Sequence, residues 1–374
     1  MSIRQLTVIH THIFTAIAVG ALLAGCASQA WNQPAIPPFE NYPAVEVEDE
    51  DILGVSEEML HFVQQQIPRE SINASRAFSL AYSTMDPNLL NFRYDPSKTL
   101  SGEEAFRQKT GNCLSFSNMF VAMARTAGMK AWYQEVEVPQ EWSSINDTLL
   151  VSRHVNAVVK DAYLEYVVDV SRKFRNEEVL SRKISDKEAL AQFYNNLGAD
   201  ALVEKQLAKA YAYFVKAIET DPFASYIWSN LGVVYRRNGQ TEAARASYQT
   251  ALELDPEELV ALNNLYGIYL EEGNEAAARD LQKRVERHRR KNPYYLQQLA
   301  DTAMQEQRYD DAIKLLHRAI RLKEEDYRFH VSLAQSLALN GEDEEAQLSL
   351  DRARQLAPVG IEPDSIRLTE PGSP

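Results

Sequence analysis

The stretch "SYIWSNLGVVYRRNGQTEAARASYQTALELDPEE", residues 225–258, sets Trp228, Leu231, Gly232 and Tyr235 before a turn at Gly239, and Ala244, Tyr248 and Ala251 after it, closing on Pro256. The spacings are helical on both sides of the glycine, so the segment reads as two amphipathic helices folded back on each other. Moving outward in both directions, the same residues recur with a period of 34. Counting position 1 at 191, 225, 259, 293 and 327, position 7 is Leu197, Leu231, Leu265, Leu299 and Leu333. Position 20 is Ala210, Ala244, Ala278, Ala312 and Ala346, and position 27 is Ala217, Ala251, Val285, Ala319 and Ala353. Small residues at positions 8 and 20 let paired helices approach closely, large ones at 4, 7, 11 and 24 fill the gap, and a closing proline ends the second helix.

This pattern resembles the tetratricopeptide repeat, with five copies over residues 191–360 and a tail at 361–374. The third copy departs from it at Tyr266, Gln282 and Arg290, and the fourth has Glu324 where the proline belongs. The resemblance implies an all-α solenoid whose groove takes a protein or peptide partner. The basic run "KRVERHRRK", 283–291, falls on the second helix of the third copy and reads as a solvated face.

At the other end, "MSIRQLTVIHTHIFTAIAVGALLAGCASQA" has a short basic start at Arg4, an apolar run and then small residues. That order is a secretory signal peptide rather than a membrane span. Leu23-Ala24-Gly25-Cys26 resembles the lipobox of bacterial lipoproteins, which implies cleavage after residue 25 and lipid on Cys26. Ala27 and Ser28 follow, with no aspartate behind the cysteine, so the expected place is the outer membrane, facing the periplasm. Residues 26–52 carry four prolines and then a cluster of acids, and read as an extended lipidated tether.

The formal net charge is −14, and cleavage removes one further positive charge, so nucleic-acid binding is not expected. His61, His288, His317 and His330 are scattered, and no phosphate-binding glycine loop occurs. Neither a metal nor a cofactor is expected.

Of the two cysteines, Cys26 is assigned to lipid, which leaves Cys113 without a disulfide partner. It stands in "KTGNCLSFSNMFVAMARTAGM", 109–129, where Gly111-Asn112 breaks one helix and Leu114, Ser117, Phe120, Val121 and Ala124 mark the next. Cys113 thus falls in a first helical turn, where free N–H groups and the helix dipole favour a thiolate. Three β-rich runs follow: "KAWYQEVEV", "RHVNAVVK" and "YLEYVVDV". Folding the last two about a tight turn between Asp161 and Ala162 sets Val159 opposite Leu164 and His154 opposite Asp169. An imidazole and a carboxylate so placed share a hydrogen bond, and Asp169 gains a partner within an apolar strand.

These three motifs, in this order, resemble the transglutaminase-like superfamily, relatives of papain-type cysteine enzymes. The resemblance implies an α+β domain, taken here as residues 53–180, ahead of the solenoid. It makes Cys113 the nucleophile, His154 the general base and acid, and Asp169 the group that orients His154. The implied chemistry is thioester formation at an amide bond of a peptide or protein, followed by hydrolysis (cysteine peptidase or amidase) or transfer to an amine (transglutaminase type). His154 is followed by Val155 and Asn156 rather than the frequent alanine and tryptophan. Gln108, Trp132 and Trp142 are the side chains considered for an oxyanion donor. Two other readings stand beside this one: a non-catalytic adaptor lipoprotein that recruits envelope enzymes, and a redox-active Cys113. The segment "SRKFRNEEVLSRKISDKE", 171–188, joins domain and array, and its spacing does not say whether it packs or swings.

Overall fold

The computed structural model describes residues 31–67, 73–136, 142–145, 148–151, 154–160, 165–170, 181–290 and 292–357. The expected signal peptide, Cys26 and the tail at 361–374 lie outside them. The chain divides into two compact units, Met1–Ala35 and Ile36–Pro374, and every described helix and strand belongs to the second.

Helix α1 (Glu57–Gln66) starts where Ser56 accepts a hydrogen bond from the Met59 N–H. Helix α2 (Asn73–Met85) follows, then the short strand β1 (Arg93–Tyr94), α3 (Gly102–Gln108) behind a Ser101/Glu104 capping box, and β2 (Thr110–Gly111), which pairs in parallel with β1. Helix α4 (Cys113–Thr126) is the centre of this half. Its residues 114–124 are all buried, so it is covered on every side rather than along one stripe. Its buried polar side chains are satisfied: Asn118 Nδ2 donates to Leu100 O, and Asn118 Oδ1 accepts from the Tyr133 hydroxyl at 2.9 Å.

Four strands form the main sheet, in the antiparallel order β7–β6–β3–β8. They are β3 (Lys130–Val136), β6 (His154–Lys160), β7 (Glu165–Val168) and β8 (Ser181–Ile184), while β4 (Trp142–Ile145) and β5 (Thr148–Val151) pair only with each other. Strand β6 is buried along nearly its whole length.

The β6–β7 register differs from the expected one by two residues. Val159 faces Tyr166 rather than Leu164, Ala157 faces Val168, and the last pair is Lys160–Glu165. Both registers keep the same faces, since a shift of two preserves the alternation, and one contact distinguishes them. The expected register would set Glu165 against buried Val158, whereas the observed one pairs it with the Lys160 ammonium at 3.0 Å. Continued one step past β7, it brings Asn156, not His154, opposite Asp169.

The repeats form five helix pairs: α5 (Asp186–Val203) with α6 (Leu207–Thr220), α7 (Ser225–Arg237) with α8 (Thr241–Leu254), α9 (Leu259–Glu271) with α10 (Glu275–Arg289), α11 (Pro293–Gln305) with α12 (Tyr309–Leu322), and α13 (Tyr327–Leu339) with α14 (Asp343–Leu356). From α7 onward the first helix of each pair begins at the residue counted as position 1. Helix α5 begins five residues earlier than position 1 at 191, because Ser185 and Glu188 form a capping box ahead of it. In the first two pairs, where position 24 is aromatic, close packing needs the glycine at position 8. A Cβ on Gly232 would lie 2.5 Å from the Tyr248 ring, and one on Gly198 2.7 Å from the Phe214 ring.

The described part of the connection between domain and array, residues 181–188, is ordered into a strand and the start of a helix. Part of the connecting segment is strand β8, at the edge of the sheet. Helix α5 then packs beside β3, where Gln192 Nε2 donates to buried Glu135 at 3.0 Å and Asp186 receives both guanidinium nitrogens of Arg125, at 2.6 and 2.8 Å.

Residues 36–50, expected as a spacer, are extended but lie along α6 and the α7–α8 turn. The Tyr211 and Tyr235 hydroxyls donate to Pro37 O, and Phe39 stacks on Tyr211 with centroids 4.8 Å apart. Further along, Asp49 pairs with Lys216, the Glu50 N–H donates to the Tyr194 hydroxyl at 2.8 Å, and Ile52 is buried in the domain.

Candidate active site

Cys113 is the first residue of α4, and the chain before it is shaped to start that helix. Asn112 is the N-cap: its Oδ1 accepts from the Ser115 N–H at 2.9 Å and its own carbonyl takes the Phe116 N–H. The cap is itself held, since Asn112 Nδ2 donates to Thr99 Oγ1 at 2.9 Å and the Asn112 N–H to Lys98 O at 2.8 Å. Ser115 Oγ accepts from the Leu100 N–H at 2.8 Å. Gly111 makes room for this arrangement: its φ is +153°, and a Cβ there would lie 2.5 Å from Ser115 Cβ. The N–H groups of Cys113 and Leu114 belong to the set that no intrahelical carbonyl reaches, which suits a developing oxyanion.

His154 opens β6 and is 6% exposed. Its Nε2–H donates to Asp169 Oδ2 at 2.9 Å, and the side chains are 8% and 11% exposed. Cys113, a half-buried thiol, lies beside the ring and favours its charged form. With Nε2 committed to Asp169, Nδ1 is the nitrogen left for the sulfur. Helix and strand are pinned together beside this contact, because Ser117 Oγ, one turn beyond Cys113, donates to Val155 O, one residue beyond His154, at 3.3 Å. Burial opposes a charge on His154, but the hydrogen bond to Asp169 and the neighbouring Cys113 outweigh it and raise the imidazole from 6.5 to about 9. His154 is therefore an imidazolium at neutral pH.

The three residues singled out in the sequence thus come together in one cluster. The side chains considered as oxyanion donors do not join it on the same footing. Gln108 is exposed at the end of α3. Trp132 faces Val158, four residues along β6 from His154 or about 13 Å at strand rise, and carries the Lys183 ammonium 4.6 Å from its ring. The Trp142 side chain lies outside the described set. Sequence reasoning gave no role in the site to Thr99, Ser115 and Ser117; the two serines had a signal, their presence within an otherwise apolar helix, and Thr99 had none. It also missed Asn156, 5% exposed, whose Oδ1 has no hydrogen-bond partner among the described residues and which the register, continued one step, sets opposite Asp169.

Residues 65–172 match the family model of the transglutaminase-like superfamily, and residues 225–258 and 298–361 match tetratricopeptide repeat models. No curated protein matches the chain. Solved structures similar to it include MamA from Desulfovibrio magneticus RS-1 (residue 41 to the end), at 16% identity over 46% of this chain and 96% of that one, with a TM-score of 0.29. PilF of Pseudomonas aeruginosa is similar at 20% identity over 46% and 79%, TM-score 0.34. YrrB, a TPR protein described as having an unusual peptide-binding site, is similar at 19% identity over 47% and 90%, TM-score 0.27. The chain joins a transglutaminase-like domain to C-terminal tetratricopeptide repeats.

Proposed function

We propose that the protein is a lipid-anchored enzyme of the bacterial envelope that cleaves or transfers at amide bonds through a thioester on Cys113, while its repeats hold a protein or peptide partner. The observation that carries this reading is the His154–Asp169 hydrogen bond placed beside Cys113 at the start of a capped, buried helix. In the proposed cycle the Cys113 thiolate attacks the amide carbonyl, and the N–H groups at the head of α4 receive the oxyanion. As the intermediate collapses, the leaving amine takes the proton from His154 Nδ1 and the acyl group stays on sulfur. Water or an amine then attacks the thioester, gives its proton to Nδ1, and releases the thiolate. Asp169 holds the ring through Nε2 and stabilises its charged form throughout. Anchoring rests on the lipobox-like Leu23-Ala24-Gly25-Cys26.

The test is the rate of Cys113 alkylation against pH, for a chain starting after Cys26 and for its His154→Ala variant. A reactive thiolate at pH 5–7 that disappears in the variant is the expected result. A slow thiol with an ordinary profile in both proteins would overturn the enzyme and leave the adaptor. Product mass with and without added primary amine then separates transfer from hydrolysis.

A further inference from the structure

The segment on α6 is attached as a ligand is attached to a receptor. None of residues 36–50 is buried. What holds Pro37 to Glu40 is a set of directional contacts to its main chain. Beside the two tyrosine hydroxyls on Pro37 O, Gln240 Nε2 donates to Pro38 O at 3.1 Å and Gln240 Oε1 accepts from the Glu40 N–H at 3.2 Å. Asn238 Nδ2 donates to Glu40 O at 3.0 Å. One side chain, Phe39, supplies the aromatic contact, between Tyr211 and Tyr42. Main-chain reading of a proline-rich stretch by tyrosines, with one aromatic anchor, is a recurring mode of peptide recognition, since proline lowers the entropy lost on docking. Downstream the fit is loose. A cavity of about 450 Å³ remains between residues 43–47 and the α6 face formed by Ala208, Ala212 and Val215.

We propose that α6 and the α7–α8 turn form a binding site for extended peptides of the pattern Pro-Pro-aromatic followed by a bulky aliphatic residue, and that residues 36–50 occupy it in cis until such a partner displaces them. The first half of the pattern is what the site already holds in Pro37, Pro38 and Phe39, with Glu40 held by its main chain alone. The aliphatic residue is the one the cavity lacks, because Ala44 and Val45 do not fill it. This rests on the reading that the repeats bind peptides, and adds which face and what sequence. A tethered occupant acts as a competitor at an effective concentration of order millimolar, so an outside peptide must either bind better or meet a weakened occupant.

The test uses the chain starting after Cys26 and a fluorescent synthetic peptide with the sequence of residues 34–50, followed by anisotropy. Phe39→Ala loosens the resident segment without touching the site, and should bind the peptide at least about tenfold more tightly than the unaltered chain. Adding Gln240→Ala should remove that binding, while circular dichroism shows the helices intact. A peptide with leucine at the place of Ala44 should bind several-fold more tightly again, as filling apolar space predicts. No binding to Phe39→Ala overturns the site. Binding that ignores Gln240→Ala also overturns it, by locating the peptide elsewhere on the array, while leaving the repeats as peptide binders. Equal affinity for the leucine peptide removes the aliphatic element of the pattern. Cys113 alkylation, measured on the same variants, reports separately on the enzyme reading.

Discussion

His154 and Asp169 are two residues out of register across β6 and β7, yet Nε2 and Oδ2 are 2.9 Å apart. Diagonal neighbours in an antiparallel pair are farther apart at Cβ than opposed ones, but they share a face, and an imidazole spans the difference. Parity is therefore what this pair requires of the strand register. Asp169→Asn should lower the proposed activity by about 10²–10⁴-fold, because the amide cannot stabilise the imidazolium. It should also bring the His154 titration down from about 9, since burial then acts with Cys113 alone against it. Histidine ring NMR against pH reads the shift. An unchanged titration would detach Asp169 from the site.

Stability should fall on the alkaline side. His154 titrates near 9 in the folded chain against an ordinary 6.5, so folding strengthens its hold on the proton. The contribution is complete below about pH 6.5 and is lost as pH rises through about 9, amounting to at most about 3 kcal/mol. Urea denaturation at pH 6 and pH 9.5 should show this loss in the unaltered chain and a smaller one in Asp169→Asn. Equal losses would refute the assignment.

The start of α4 tolerates no side chain at Gly111. Gly111→Ala forces Ser115 and the Asn112 cap to move, and should cost about 1–3 kcal/mol together with most of the Cys113 reactivity. Ser117→Ala keeps the helix but frees it from β6 at Val155, and should cost about 1 kcal/mol. Thermal melts and alkylation rates, taken together, separate the two effects: reactivity retained in Gly111→Ala would show that the cap does not position the thiol.

Within the array, Gly232→Ala drives a methyl group into the Tyr248 ring and should destabilise the second repeat by about 1–3 kcal/mol. The same Ala already stands at position 8 in the fourth and fifth repeats, as Ala300 and Ala334, where position 24 is the smaller Leu316 and Leu350. Gly232→Ala combined with Tyr248→Leu should accordingly recover part of the loss. Full additivity of the two changes would contradict the contact.

Legibility followed the range of the interactions. The repeat helices were readable because each is fixed by contacts within one 34-residue unit, so the spacing of Leu231, Ala244 and Ala251 states them directly. Cys113 at a helix start was readable from Gly111-Asn112 for the same reason. The start of α5 was displaced because Ser185 and Glu188 outrank a position counted from downstream repeats. The β6–β7 register was not legible because a shift of two residues leaves the hydrophobic alternation unchanged. Residues 36–50 were the hardest. Their partners, Tyr211, Tyr235 and Gln240, lie some 170–200 residues away, and nothing local in a proline-rich stretch announces a distant receptor.

The third repeat is the weak joint of the array. Along α10 the buried apolar residues are Ala278, Leu281 and Val285, and Gln282 is exposed at the position where the other repeats bury Phe214, Tyr248, Leu316 and Leu350. In an array whose stability is a sum of nearest-neighbour couplings, the smallest coupling decides where a melting front stops. Pulled from its C-terminus, this chain should unravel in two stages, α11–α14 first, with a plateau before the block bolted to the domain gives way.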